Sequence, residues 1–365
     1  MKADPARVVP RFEIPGDLAR IDFCGSGHIN DTYTAVLRQG GRIARYILQR
    51  INHVVFSDPP ALMENIARTT RHLRARLEAE GVRDIGRRAL TLVPAREGGA
   101  YHRDDEGNYW RAYIFVENAT TCDIVRDPKQ AREAARAFGR FLALLADLPP
   151  PRLHETIPDF HHTRSRFDAL VKAVNADAHA RADSARDLIG FALQREPMVN
   201  VLLDLQANGE LPERITHNDT KVNNVLMDDE TSEGLCVIDL DTVMPGLALY
   251  DFGDLVRSAT NTAAEDERDL SRVSSNPDLF RALVEGYLSS ARDLLTPAEI
   301  EHLPFSGKLM TFEVGLRFLA DYLSGDVYFK THRKGQNLDR CRAQFKLVRS
   351  IEEQEAAMMR MVRSA

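Results

Sequence analysis

Residues 215–241 read ITHNDTKVNNVLMDDETSEGLCVIDLD, and the spacing inside this run decides what the rest of the chain has to support. His217, Asp219 and Asn224 stand in an H-x-D-x-x-x-x-N pattern, in which the aspartate meets a substrate hydroxyl and the asparagine holds a magnesium ion. Residues 225–227 form a short apolar strand signal closed by the polar turn cluster 228–234. Residues 235–238 form a second, which delivers Asp239 at its end. The pairing of these strands puts Asp239 beside Asn224 as a second metal-ligand candidate. Phosphoryl transfer needs such a set, because metal-bound phosphates must be neutralised and the attacking oxygen aligned, while the protein does little covalent chemistry. The competing reading makes Asp219 a turn residue, since N-D-T is good turn chemistry. The joint match of His217, Asp219, Asn224 and Asp239 outweighs it. Asp239 and Asp241 also form a D-x-D usable for a nucleotide-sugar, but that reading leaves the run from His217 to Asn224 unexplained. His217 is expected to fix the loop by hydrogen bonding rather than to exchange protons.

Working outward, residues 21–37 (IDFCGSGHINDTYTAVL) read as a strand, a glycine-containing loop and an alternating strand. Gly25 and Gly27 would let backbone amides approach phosphate oxygens, and Ser26, Asn30 and Thr32 add side-chain donors. The third strand, RYILQRI at 45–51, has no lysine to pair with phosphates; Gln49 or Arg50 must fill that role, and alternation alone does not choose between them. A helix is expected over 58–80, with Leu62, Ile66, Thr69, Leu73 and Leu77 on one side. Its Glu64 either orients the Gln49/Arg50 group or simply favours the helix N-terminus. Strands at 90–93 and 109–116 follow. The second, YWRAYIFV, ends at Glu117-Asn118, where a hinge that hydrogen-bonds adenine belongs. This places a nucleotide-binding lobe at 1–117 and a catalytic and substrate-binding lobe at 118–365, with residues 1 to about 20 as a ragged lead-in. Helices are expected at 127–148, opened by Asp127-Pro128, over 183–208, and after Asp251. His161 and His162 are adjacent, so their side chains point apart and do not share a metal.

Composition narrows the class. A chain of 365 residues with net charge −6 accommodates two domains and argues against broad nucleic-acid binding. Cys24, Cys122, Cys236 and Cys341 form no C-x-x-C pair, which suits reduced thiols. The N-terminus carries charges and prolines where a signal peptide needs an apolar core, and no run approaches the roughly 18 apolar residues of a membrane span. A cytoplasmic enzyme is the expectation.

Residues from about 20 to 350 resemble the aminoglycoside phosphotransferase and choline kinase family. Within it HNDTKVNNVL, CVIDLDTVMPGLALYDFGDLVRS and FEVGLRFLADYLSGDVYFK are similar to the N-acetylhexosamine 1-kinase subgroup, as are GSGHINDTY, YILQRIN and DPPALMENI. The resemblance implies an α+β, two-lobed protein-kinase-like fold. It has a small N-terminal lobe with an antiparallel sheet and a larger, mostly helical C-terminal lobe. It also implies ATP- and Mg²⁺-dependent phosphorylation of the anomeric hydroxyl of N-acetylglucosamine or N-acetylgalactosamine. Asp219 would contact that hydroxyl, Asn224 and Asp239 the metal, and Thr242, Arg317 and Tyr328 the sugar. The missing strand-three lysine departs from the broader pattern. Read on its own, Arg317 lies in an apolar helical run and needs either a carboxylate or a ligand as partner. Another acceptor is the alternative: an aminoglycoside, an amino alcohol or a different sugar, with Asp251 and Asp254 suited to a cation. So is a silent sensor that binds without transfer, against which the intact Asp219, Asn224 and Asp239 argue.

Overall fold

A computed structural model describes residues 4–24, 29–125 and 127–365. In the N-terminal half, strands β1 (Asp17–Phe23), β2 (Asp31–Gln39), β3 (Arg42–Ile51), β4 (Leu92–Val93), β5 (His102–Arg103) and β6 (Tyr109–Ile114) form one antiparallel sheet. Its order is β1-β2-β3-β6-β4, with β5 also paired to β6. The register aligns Thr32, Gln49 and Arg111 across three strands, and Asp31, Arg50 and Trp110 in the next row. Successive residues point to opposite faces, so these two rows look in opposite directions.

One face carries Ala35, Leu37, Leu48, Trp110 and Ala112, and it is covered by Val8, Val9, Phe12 and Ile14. The expectation of a ragged lead-in is thereby corrected. These four apolar residues close an otherwise exposed sheet face, and a short helix, Pro5–Val8, brings them there. The other face packs Ile47, Ile51 and Tyr113 into the main core. The Pro59–Ala79 helix lies in that same core and buries Leu62, Ile66, Thr69, Leu73 and Leu77 as its spacing predicts, with Asp58 capping its first turn.

The C-terminal region is mainly helical. Strands β7 (Ala119–Thr121), β9 (Val225–Asp228) and β10 (Gly234–Val237) make a small sheet in the order β10-β9-β7; β8 (Arg214–Thr216) pairs with β11 (Met244–Gly246). The helices Pro128–Leu145 and Pro277–Ala291 pack together, and Leu303–Leu323 lies against Gln336–Ser364, Ala248–Thr260 and Thr163–Ala176. The helical sequence expected over 183–208 forms the helices Arg186–Leu193 and Val201–Ala207, separated near Pro197, which lacks the N–H that continuity requires. Among the described residues no helix is long and apolar enough to cross a membrane. The architecture is the expected α+β one, an antiparallel N-terminal sheet followed by a helical C-terminal region.

Candidate active site

The loop between β8 and β9 is held from below by one carboxylate. Asp251, in the Ala248–Thr260 helix, accepts hydrogen bonds from the backbone amides of His217 (2.9 Å) and Asn218 (2.7 Å). Thr220 Oγ1 donates to the Asp251 carbonyl at 2.5 Å. Burial pushes the Asp251 carboxyl up to about 6, against the opposing pull of His217 and the two amides. Asn218 adopts a left-handed φ of 63°, and its side-chain amide reaches the Thr242 carbonyl at 2.9 Å. Gly246 permits this geometry, since a Cβ there would stand 2.4 Å from Thr216 Oγ1 and 2.8 Å from Asn218 Oδ1. His217 Nε2 donates to the Ile238 carbonyl (2.9 Å), which leaves Nδ1 to accept from the Asp219 amide (3.3 Å). Phe138 and Phe141 meet its ring edge-on. The histidine ties the loop to the exit of β10, the structural role its position suggests.

Asp219 stands partly exposed at the head of this loop. Lys221 Nζ lies 3.0 Å from its Oδ2. Burial alone would raise the Asp219 carboxyl, but Lys221 and His217 hold it below the ordinary carboxylate range; the same pairing raises Lys221. Asn224 donates to the Asp219 carbonyl (2.8 Å) and to its Oδ2 (3.2 Å), so its amide oxygen is turned away from Asp219. Asp239 follows β10 in a left-handed conformation, φ 60°. Surrounding protein, together with Asp241 and Asp219, raises its carboxyl to about 7. Among the described residues no group of three His, Cys, Asp or Glu side chains forms a metal site. Asn224 is hydrogen-bonded to Asp219, and Asp239 lies near enough for the Asp219 charge to act on its carboxyl, so each has an oxygen that could serve a cation there. Such hard donors suit magnesium, which characteristically takes one or two protein ligands and completes its shell with phosphates and water.

Above them, the sheet register separates the two strand-three alternatives. Gln49 is on the cleft face, supported by Thr32 (Nε2 to Oγ1, 3.0 Å) and accepting from Arg111 Nε at 2.9 Å. Arg50 points to the other face, where Nε donates to Asp31 at 2.8 Å and Nη1 to Asn108 at 3.3 Å. One strand away from Gln49, Arg111 on β6, 1% exposed, forms a buried ion pair with Asp241. Burial works against its charge and Asp241 sustains it. Asn30 donates its amide to the other Asp241 oxygen and accepts from the Asn52 backbone amide at 2.9 Å, so the residue that leads into β2 is also fastened to this segment. Glu64 is not turned toward Gln49. It pairs with His154 at 3.0 Å and approaches Arg68, which corrects the orienting role considered for it. Glu117 lies exposed between β6 and β7; its side chain binds Arg45, and Arg87 donates to its carbonyl at 3.2 Å. Gly25 and Gly27 lie outside the described residues.

On the far side of Asp219, Thr242 is buried and its hydroxyl donates to the His217 carbonyl at 2.7 Å, so in this conformation it braces the loop. Arg317 has no hydrogen bond or ion pair among the described residues. Its guanidinium is surrounded by the rings of Phe160, Tyr328 and Phe329, 5.3, 5.8 and 5.4 Å from their centroids. Tyr328 is 62% exposed, yet its loop is fixed. Asp321 accepts from the amides of Val327 (2.9 Å), Tyr328 (2.8 Å) and Phe329 (3.0 Å). The carboxylates expected to welcome a cation are engaged elsewhere: Asp251 under the loop, and Asp254 with Arg257 at 2.8 Å. Arg111, Lys221 and the anchoring use of Asp251 were not anticipated from sequence. Only Lys221 carried a local signal, two residues beyond Asp219 beside the phosphates' expected position.

Solved structures with this arrangement of elements are similar to the chain at low identity, which speaks to the fold alone. They include an aminoglycoside phosphotransferase from Alicyclobacillus acidocaldarius, with 14% identity, 100% of this chain and 98% of that one covered, and a TM-score of 0.62. A microcompartment-associated aminopropanol kinase matches at 16% identity over 97% of each chain, TM-score 0.58. A choline kinase from Cryptosporidium parvum matches at 13% identity over 98% and 97%, TM-score 0.56. The family model described as the phosphotransferase enzyme family matches residues 20–287, a span that holds the glycine-containing loop, Arg111, the Asp219 loop and Asp239. With Asn224 and Asp239 both close to Asp219 within that span, the chain belongs to the phosphotransferase enzyme family and is a small-molecule kinase.

Proposed function

We propose that this kinase uses ATP and magnesium to phosphorylate the anomeric hydroxyl of an N-acetylhexosamine, N-acetylglucosamine or N-acetylgalactosamine, in the cytoplasm. The observation that carries the reading is the acceptor side of Asp219. There the uncommitted charge is the Arg317 cation beside an exposed, rigidly mounted Tyr328, while Asp251, Asp254, Glu313 and Asp321 are all engaged. A guanidinium and a phenol suit hydroxyl and amide oxygens, whereas a cationic aminoglycoside or choline would meet repulsion. One feature favours the alternative of an amino-alcohol acceptor: Asp254 Oδ2 is buried without a hydrogen-bond partner. Its charge is already balanced by Arg257 at 2.7 Å.

In this reading Asp219 aligns the acceptor hydroxyl and receives its proton late. An anomeric hydroxyl is more acidic than an ordinary alcohol, so a carboxylate held below its usual range still serves. Asn224 and Asp239 would hold the metal, whose charge neutralises phosphate oxygens, and Lys221 adds a movable cation beside the transferring group. Gly25, Gly27, Asn30 and Thr32 belong to the nucleotide side with Gln49, and Glu117 to the adenine hinge, with the lobes meeting between 117 and 118. Thr242 acts on the acceptor by keeping the His217–Asp219 loop in place. Closure of the lobes would exclude water, the competing phosphoryl acceptor.

The test is ATP consumption by the purified protein with both N-acetylhexosamines, an aminoglycoside panel, choline and aminopropanol, followed by location of phosphate in the product. Turnover with an N-acetylhexosamine to an anomeric phosphate is expected. No turnover with either sugar overturns the substrate assignment and leaves the phosphotransferase family intact.

A further inference from the structure

The segment preceding the Thr163–Ala176 helix brings His161 beneath the Asp219 loop, where it is 7% exposed against a fully buried Glu313 from the Leu303–Leu323 helix. Its two ring nitrogens have different partners. Nδ1 lies 2.8 Å from Glu313 Oε1, and Nε2 lies 2.8 Å from the backbone carbonyl of Asn218. A carboxylate and a carbonyl only accept hydrogen bonds, so both nitrogens donate and the ring carries both protons. Burial opposes that charge and Glu313 sustains it, while Glu313 in turn sits below the ordinary range because of His161. Thr163 Oγ1 donates to the second Glu313 oxygen at 2.6 Å. Tyr250 and Phe160 hold the ring at centroid distances of 5.3 and 4.5 Å. The other charged groups facing this pair are Asp251 and Asp254 from the Ala248–Thr260 helix, and Arg166 and Arg317 across Glu313.

What His161 grips is the residue immediately before Asp219. Asn218 is in a left-handed conformation, and its amide, side chain and carbonyl are each held by a different element: Asp251, the Thr242 carbonyl and His161. The Asn218 carbonyl belongs to the peptide unit whose nitrogen is that of Asp219, so rotation of this peptide swings the aspartate relative to the acceptor. Two of the three holds come from the Ala248–Thr260 helix and from the segment between β10 and β11. The third comes from the acceptor side: Phe160, next to His161, lies under Arg317, and Arg317 is one helical turn beyond Glu313. A continuous set of contacts therefore runs from Arg317 through Phe160 and His161 to the Asn218–Asp219 peptide.

We propose that His161 is a positioning residue for phosphoryl transfer, fixing the Asn218–Asp219 peptide through Nε2 while Glu313 and Thr163 fix the imidazolium itself. The role rests on the kinase reading and is independent of which acceptor is used. Retaining a buried ion pair for packing alone is poor economy of stability, since apolar residues of similar volume commonly do as well. A charged ring with two donors on opposite edges supplies what no apolar residue does, a directed link between a helix and a loop carbonyl.

Two substitutions separate the two edges. An asparagine amide nitrogen overlays Nδ1 of histidine and a glutamine amide nitrogen overlays Nε2, so His161→Asn keeps the link to Glu313 and loses Asn218, whereas His161→Gln does the reverse. Leu170→Ala, in the buried face of the helix that follows His161, controls for lost packing. With the acceptor that turns over, His161→Asn is expected to lower kcat at least tenfold with the ATP KM unchanged, and His161→Gln to keep kcat within about threefold despite a lower Tm. Equal losses in both variants, or a loss that follows Tm along the line set by Leu170→Ala, overturn the proposal. NMR of the unmodified protein supplies an arm that needs neither a variant nor an acceptor. Two slowly exchanging ring N–H signals from His161 are expected, and a single one refutes the doubly donating ring.

Discussion

Replacing Arg111 with methionine removes a buried cation and little volume, and its cost follows from what stays behind. Asp241 would remain in the protein interior with Asn30 as its remaining side-chain donor among the described residues, and Gln49 would lose the donor it accepts from at 2.9 Å. Breaking a buried pair by removing one partner costs about 3–5 kcal/mol, because the surviving charge is desolvated and uncompensated. The Asn30 amide offsets part of that, which places Arg111→Met near 3 kcal/mol. Arg111→Met/Asp241→Asn leaves no orphan charge and should recover most of the loss, so the double-mutant cycle should show a coupling of about 2 kcal/mol or more. Urea unfolding of the wild type, both single variants and the double variant measures it. A loss below about 1 kcal/mol in Arg111→Met, with additive effects in the double variant, refutes the reasoning that the pair is a mutually dependent unit joining the sheet to the Asp239–Asp241 segment.

Asp219→Asn should keep the fold and lower kcat by roughly 10²–10⁴, the range for loss of a positioned proton acceptor; wild-type turnover in this variant would remove its assigned role. Because the Asp239 carboxyl is raised to about 7 and must lose a proton to bind a cation, magnesium affinity should weaken as pH falls below that value. The slope approaches about tenfold per unit, while an ordinary carboxylate near 3.9 would hold affinity level across the same interval. Calorimetric titration from pH 6 to 8 distinguishes the two, and a level profile counts against the crowded site. Arg317→Ala should raise the acceptor KM about 10–100-fold, as expected for losing a charge-assisted hydrogen bond, and leave the ATP KM alone. Equal rises in both would show that Arg317 acts on the cleft as a whole.

The hairpin from Asn224 to Asp239 was legible because its parts are close in sequence and each has a short-range signature: an apolar run, a turn cluster, another apolar run. The Pro59–Ala79 and Pro128–Leu145 helices were legible for the same reason, with aspartate caps and a single apolar stripe. Gln49 and Arg50 could not be told apart, since one residue's difference in strand phase decides which faces the cleft, and phase is set by pairing with β2 and β6. Arg111 was hidden more deeply. Inside YWRAYI it passes for an outward-facing polar residue, and only Asp241, far along the chain, makes its burial tolerable. Asp251 looked like a free carboxylate for the corresponding reason, that a partner brought in by tertiary structure leaves no trace in local pattern, whereas the partner of Asp254 is Arg257, one turn along the same helix, a pair that its i,i+3 spacing already offered.

The loop that carries Tyr328 owes its shape to one carboxylate and three consecutive backbone amides, contacts in which the side chains of residues 327–329 take no part. Its geometry is thus uncoupled from the identity of the residue it displays. A substitution at 328 changes the chemistry presented over Arg317 without rebuilding the mount, at little cost in stability. In this chain the Asp321 clamp works as a fitting separate from what it displays, and position 328 can be exchanged, by selection or in the laboratory, while its mount stays in place.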